Sequence, residues 1–280
     1  MAKIIIFIVE GASDQLALIP ISDLINQKGS DFIVTFLRNK DNGGDITSDF
    51  YLDKKGRPTW IEADQLARAI YDKILIQCIN FRSIFPEDIL EIIQIADTDG
   101  AFIPDQKVIL NRKLSSSKSL RYYDNRIESL SPNGIVQRNK RKSGNMNLLS
   151  NSSYLRFTIS KNNTLSSVAF SERNDDQCSK DQENRIVSVP YSVYYFSSNL
   201  DHFIHNNANY PDNDKVKDAR AFMKKHREPK KFVKFFSDDK EIQGLDYVNS
   251  WRYIRKGVNS LQKHTNLGVL LNDHISQLNP

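Results

Sequence analysis

The chain has 280 residues, 39% hydrophobic and 26% charged, with a formal net charge of +5 and a pI near 9.0. That balance suits a folded protein larger than one typical domain and excludes a wholly disordered chain. Two cysteines, Cys78 and Cys178, exclude a disulfide framework and a tetrahedral zinc set, and no run reaches the roughly 18 apolar residues of a membrane span, so a cytoplasmic location is expected.

The first element is a β-branched run, residues 3–9, read as a strand buried on both faces and too short and strand-like for a signal peptide. It ends on Glu10-Gly11-Ala12-Ser13-Asp14, where Gly11 allows a tight turn and Ser13 or Asp14 can cap the next helix. Helical spacing over 13–28 is broken by Pro20, a second strand covers 31–37, and 38–58 is a polar, turn-rich hairpin or loop at a substrate edge. The clearest amphipathic helix is 61–81, with Leu66, Ala69, Ile70, Ile74, Leu75, Cys78 and Ile79 on one side. A strand at 89–96 then leads into Asp97-Thr98-Asp99-Gly100. Strands alternating with helices point to an α/β fold with a mainly parallel sheet.

Residues 106–156 hold eleven Lys/Arg against Asp124 and Glu128. This region, with its serine runs and the tract Arg138-Asn139-Lys140-Arg141-Lys142, reads as a partly ordered insertion with a mobile basic tract suited to nucleic-acid phosphates. A further strand is expected over 186–196, near a sheet edge because of Pro190. Beyond it, Asn199 or Ser198 caps a short helix carrying Asp201 and His202, and helices follow at 215–226, 231–236, 247–260 and 267–278. Residues 214–236 hold nine basic against three acidic residues. Domain boundaries are expected at 1–105 (core), 106–186 (insertion) and 187–280 (closing strand and helical region).

The two acidic motifs carry the chemistry. Carboxylates just past buried strands sit at the carboxyl edge of a parallel sheet, where open α/β folds bind ligands. In an extended segment Asp97 and Asp99 point to the same side, offering two hard oxygens that suit magnesium, which keeps waters and open positions for phosphate. Three convergent carboxylates without a cation would repel one another.

Glu10-Gly11-x-Ser13-Asp14-x-x-Ala17-Leu18, followed by hydrophobic-Asp97-x-Asp99-Gly100, resembles the Toprim domain of topoisomerases, bacterial-type primases, ribonuclease maturases and overcoming-lysogenization-defect (OLD) nucleases. The resemblance covers about residues 1–105, with a closing segment near 187–206. It implies a Toprim-like sheet and a Mg2+ (or Mn2+) phosphodiester-cleaving centre, with Glu10 as acid/base or ligand and Asp97 and Asp99 as ligands; Asp14 and Asp201 are further candidates. It also suggests an effector nuclease in antiviral defence, acting on DNA or RNA beside a separate ATPase partner, with a homo-oligomer open. A catalytically silent nucleic-acid-binding module and an RNA-processing factor are the alternatives.

Overall fold

The computed structural model describes residues 3–28, 32–38, 45–48, 50–52, 58–76, 78, 84–162, 164–173 and 184–277. Strand β1 (Lys3–Val9) runs into α1 (Ala12–Leu18) and α2 (Pro20–Asn26). The split falls at Pro20, which has no N–H to donate and therefore starts a helix more readily than it continues one. β2 (Phe32–Arg38), the pair β3 (Phe50–Leu52) and β4 (Pro58–Trp60), and α3 (Ala63–Ile70) follow, α3 loosening into a π-helical turn at Tyr71–Leu75. β5 (Ile89–Asp97) leads to a small three-stranded sheet of β6 (Val108–Leu110), β7 (Leu120–Tyr123) and β8 (Arg126–Ser129).

Next come the long helix α4 (Pro132–Asn151), the hairpin β9 (Tyr154–Ser160) and β10 (Leu165–Ser171), and the 13-residue β11 (Asn184–Phe196). The C-terminal part is helical: α5 (Leu200–His205), α6 (Asp212–Lys225), α7 (Pro229–Ser237), α8 (Tyr247–Ile254) and α9 (Leu267–Val269), which continues into Leu270–His274.

The protein is α/β, built on a mixed six-stranded sheet in the order β10-β9-β11-β5-β1-β2. β2, β1, β5 and β11 pair in parallel, whereas β9 and β10 are antiparallel to their neighbours. Alternation along β1 explains the layers. Ile4, Ile6 and Ile8 pack on one face with Leu66, Ile70 and Ile74 of α3 and its extension, Met146 and Leu149 of α4 and Trp251 of α8. Ile5, Phe7 and Val9 pack on the other with Ala17, Ile21, Phe222, Phe232 and Phe236, from α1, α2, α6 and α7. Such burial contributes about 1.5–3 kcal/mol per large side chain, which is why both faces of β1 read as hydrophobic.

Within 106–186, expected as a partly ordered insertion, the described strands β9 and β10 extend the main sheet, and alternate buried residues Leu155, Phe157 and Ile159 complete its core. The tract at 138–142 lies inside the 20-residue α4. β11 is an interior strand, not an edge one. Its residues 184–190 pair with β9 and 191–196 with β5, so Pro190 falls at the changeover. Cys78 is buried, while Cys178 and much of the polar segment 38–58 lie outside the described residues. Among the described residues no helix is long and apolar enough to cross a membrane.

Candidate metal centre

Register brings the acidic motifs together. Ile8 lies beside Gln94 and Phe196 beside Asp97, so β1, β5 and β11 end at one edge of the sheet. Past β1, Glu10 accepts the Asp97 N–H at 2.8 Å through Oε1. Asp97 in turn accepts the Leu200 N–H, at the start of α5, at 3.0 Å through Oδ1. Each carboxylate therefore keeps a second oxygen.

Both acids are partly exposed at the edge. Burial raises the Glu10 pKa well above its usual range, and repulsion from Asp45 and Asp97 adds to this. Asp97 is likewise raised well above its ordinary value by burial and then by Asp14 and Asp99. The pair is a region of negative charge that the protein compensates incompletely.

Asp99 follows a different course. Thr98 is buried and donates to the Ser260 carbonyl at 2.9 Å, and Asp99 then takes a left-handed backbone with φ of 49°. Its Oδ2 accepts from Lys142 Nζ at 2.6 Å, and its Oδ1 from the Tyr122 hydroxyl at 3.3 Å. Lys142 has no exposed side chain and also reaches Asp45 at 2.5 Å. Burial alone would raise the Asp99 carboxyl, but the Lys142 and Arg138 cations outweigh it and hold the pKa below its usual value. Burial opposes the Lys142 ammonium, yet Asp45, Asp99 and Glu10 keep its pKa well above the ordinary one. Burial, with Asp99 next, pushes the Tyr122 hydroxyl up to about 12.

Helix α4 supplies this second half. Arg138 donates to the Asp99 carbonyl at 2.8 Å and to Tyr122, Asn139 donates to the Gly100 carbonyl, and Asn145 donates to the Thr47 and Ile61 carbonyls. Residues 138, 142 and 145 share one helix face, so the helix spends its polar side on the acidic edge and on the segment that carries Asp45. Of the tract expected to meet phosphates, Arg138 and Lys142 make these contacts inside the protein. Lys140 pairs with Asp105 at 2.9 Å, while Arg141 lies 3.7 Å from Glu62 and over the Trp60 ring.

Asp14 accepts the Gly11 N–H at 2.7 Å and so caps α1. Burial raises its pKa, and the Asp201 charge adds to this. Asp201 is buried and takes an ion pair with Lys215 of α6 at 3.4 Å. The Asp201 charge also acts on Asp97, so it belongs to the same electrostatic field. His202 turns elsewhere, with Nε2 3.9 Å from Asp124, and burial lowers its pKa. Asn199 caps α5 through the His202 N–H at 2.8 Å.

Magnesium needs only one or two protein carboxylates beside its waters. The second oxygens of Glu10 and Asp97 are hard donors of the kind such an ion takes. Asp99, expected beside them as a third ligand, is engaged by Lys142, and among the described residues no set of three His, Cys, Asp or Glu side chains is gathered as for a metal ion. Compared with protein-family models, with curated proteins and with solved structures, the chain has no match.

Sequence reasoning missed Asp45 and Tyr122 as members of this cluster. Asp45 sits in a polar stretch whose Thr47 and Ser48 read only as turn chemistry. Tyr122 is in a strand with no distinguishing pattern. Gly100 is needed for a nearer reason: its φ is +69°, and a Cβ there would lie 2.5 Å from Leu261 Cδ2 and 3.1 Å from Ile127 Cδ1. Gly100→Ala is expected to destabilise the protein by about 1–3 kcal/mol, read as a lower midpoint in chemical denaturation.

Proposed function

We propose that the chain is a magnesium-dependent phosphodiester-cleaving enzyme with a Toprim-like centre, acting on DNA or RNA. The observation that carries this reading is the Glu10–Asp97 pair: two acids at the ends of neighbouring parallel strands, each with a spare oxygen and each raised in pKa by burial and like charge. The parallel order β2-β1-β5-β11 and the two acidic motifs support the Toprim comparison.

Glu10 and Asp97 would hold the cation, with Asp14 and Asp201 adding negative potential from α1 and α5. When bound, Mg2+ (or Mn2+) neutralises phosphate charge and makes water a better nucleophile. Burial and like charge make Glu10 a stronger base than an exposed glutamate, suited to taking a proton from water or returning it to the departing oxygen. Asp99 positions Lys142 and Arg138, whose charges balance the anionic edge on the α4 side. A role as antiviral effector beside a separate ATPase partner rests on the family resemblance alone.

One observation favours a second reading, a nucleic-acid-binding module with a silent centre: Lys142 already neutralises Asp99 and Asp45. Incubation with plasmid, linear DNA and tRNA separates the two. Cleavage that requires magnesium and stops with a chelator supports the enzyme, and tRNA-selective cleavage identifies RNA processing. If no substrate is cut and magnesium leaves the thermal midpoint unchanged, the enzyme reading is overturned.

A further inference from the structure

We propose that the outer faces of α6 and α7 form a phosphate track for the backbone of a nucleic acid, distinct from the basic tract on α4. The inference rests on the nucleic-acid reading above and names the surface that would serve it. On α6, Lys217, Arg220 and Lys224 are exposed and recur at spacings of three and four, away from buried Ala219 and Phe222. On α7, Lys230 and Lys234 are exposed four residues apart, away from buried Phe232 and Phe236.

Phe222, Phe232 and Phe236 belong to one core cluster, with the Phe222 ring against Phe236, so both helices cover the same face of the sheet and carry these cations opposite their buried residues. Among the described residues none of the five cations is in an ion pair, whereas their neighbours Lys215 and Lys231 are paired with Asp201 and Asp212 and with Glu228. Of the remaining acids on these helices, Asp218 accepts from the Tyr210 hydroxyl, and Asp214 lies in the first turn of α6. The track is therefore a charge surplus without an internal partner, in contrast to Arg138 and Lys142.

Its position links it to the acidic edge. α6 packs against α1, which carries Asp14, and Lys215 reaches Asp201 two residues before the track begins. Lys217 to Lys224 spans about 10 Å at the helical rise, long enough to meet more than one phosphate. No base-reading geometry is present in five flexible cations, so the fit is to a sugar–phosphate backbone irrespective of sequence.

The test uses the full chain carrying Asp97→Asn, in chelator, so that binding is read without cleavage. Fluorescence anisotropy with a labelled duplex and a labelled single strand is measured across a salt titration, with phosphatidylserine vesicles as a parallel arm. Replacing Lys217, Arg220, Lys224, Lys230 and Lys234 with alanine is expected to weaken nucleic-acid binding at least about tenfold and to flatten the salt slope by about 0.9 for each duplex phosphate that is no longer neutralised. A variant confined to the three α6 positions should show an intermediate loss, and circular dichroism should show both folded. Unchanged affinity and slope would overturn the proposal, as would track-dependent binding to the vesicles in place of nucleic acid. Track-dependent binding in a chain whose wild type cleaves nothing would uphold this surface while removing the nuclease reading.

Discussion

Asp97→Asn is expected to reduce magnesium-dependent cleavage by at least about a hundredfold, while raising the thermal midpoint of the metal-free protein at neutral pH. Glu10→Gln should behave alike. The sign follows from the raised pKa values of both acids. A carboxylate whose folded pKa lies above its unfolded one contributes most favourably below the unfolded value, and that contribution is lost as pH rises through the folded value. At neutral pH the wild type carries this penalty and the amides do not, so the gain should fade below about pH 4, where the unfolded carboxyls also hold their protons. Magnesium should raise the midpoint of the wild type and not of Asp97→Asn, since an ion that binds only the native state stabilises it. Differential scanning fluorimetry over a pH series with and without magnesium measures both effects; a metal-free Asp97→Asn protein less stable than wild type at neutral pH would contradict the electrostatic account.

Lys142→Met is expected to cost about 3–5 kcal/mol, because deleting one partner of a buried ion pair leaves the other charge uncompensated. Here two carboxylates are stranded, Asp45 and Asp99. Adding Asp45→Asn and Asp99→Asn to Lys142→Met should recover much of the loss, whereas either amide alone in the wild type should destabilise. Asp99→Asn thus moves stability in the direction opposite to Asp97→Asn, though both remove one negative charge from the same edge. The pH dependence also inverts: the Asp99 pKa is lowered, so its contribution is present above the ordinary carboxylate value and is lost as pH falls through the folded pKa. Urea denaturation of the single and triple variants measures these differences.

Much of the arrangement around β1 and β5 is legible from residue order, because continuous β-branched runs have no other economical use in water and an acid directly after such a run must emerge at a sheet end. Pro20 marks a helix division for a covalent reason, and β1, α1, α2 and β5 fall near their expected positions. The α4 side was hidden. Arg138-Asn139-Lys140-Arg141-Lys142 has the composition of a solvated tract, and nothing local reveals that two of its cations meet acids at Asp45 and Asp99, which lie 97 and 43 residues from Lys142. Long-range charge pairing leaves no periodic signature. Pro190 misleads for a related reason: proline excludes a ladder position on one side of one residue, not a whole strand from the interior of a sheet.

β11 has a consequence for how the chain can be divided. One strand completes the antiparallel hairpin with its first half and covers β5 with its second. A fragment ending at residue 105 would retain the acidic motifs yet leave β5 with an open hydrogen-bonding edge flanked by apolar side chains, a surface that recruits other strands. Such a fragment would therefore tend to self-associate, and folding of the acidic edge must wait for a segment made about 90 residues after β5, at the entropic expense of closing that long loop. The two acidic motifs and the late strand are in this sense one folding unit, and a ribosome releasing the chain midway would expose an unfinished sheet.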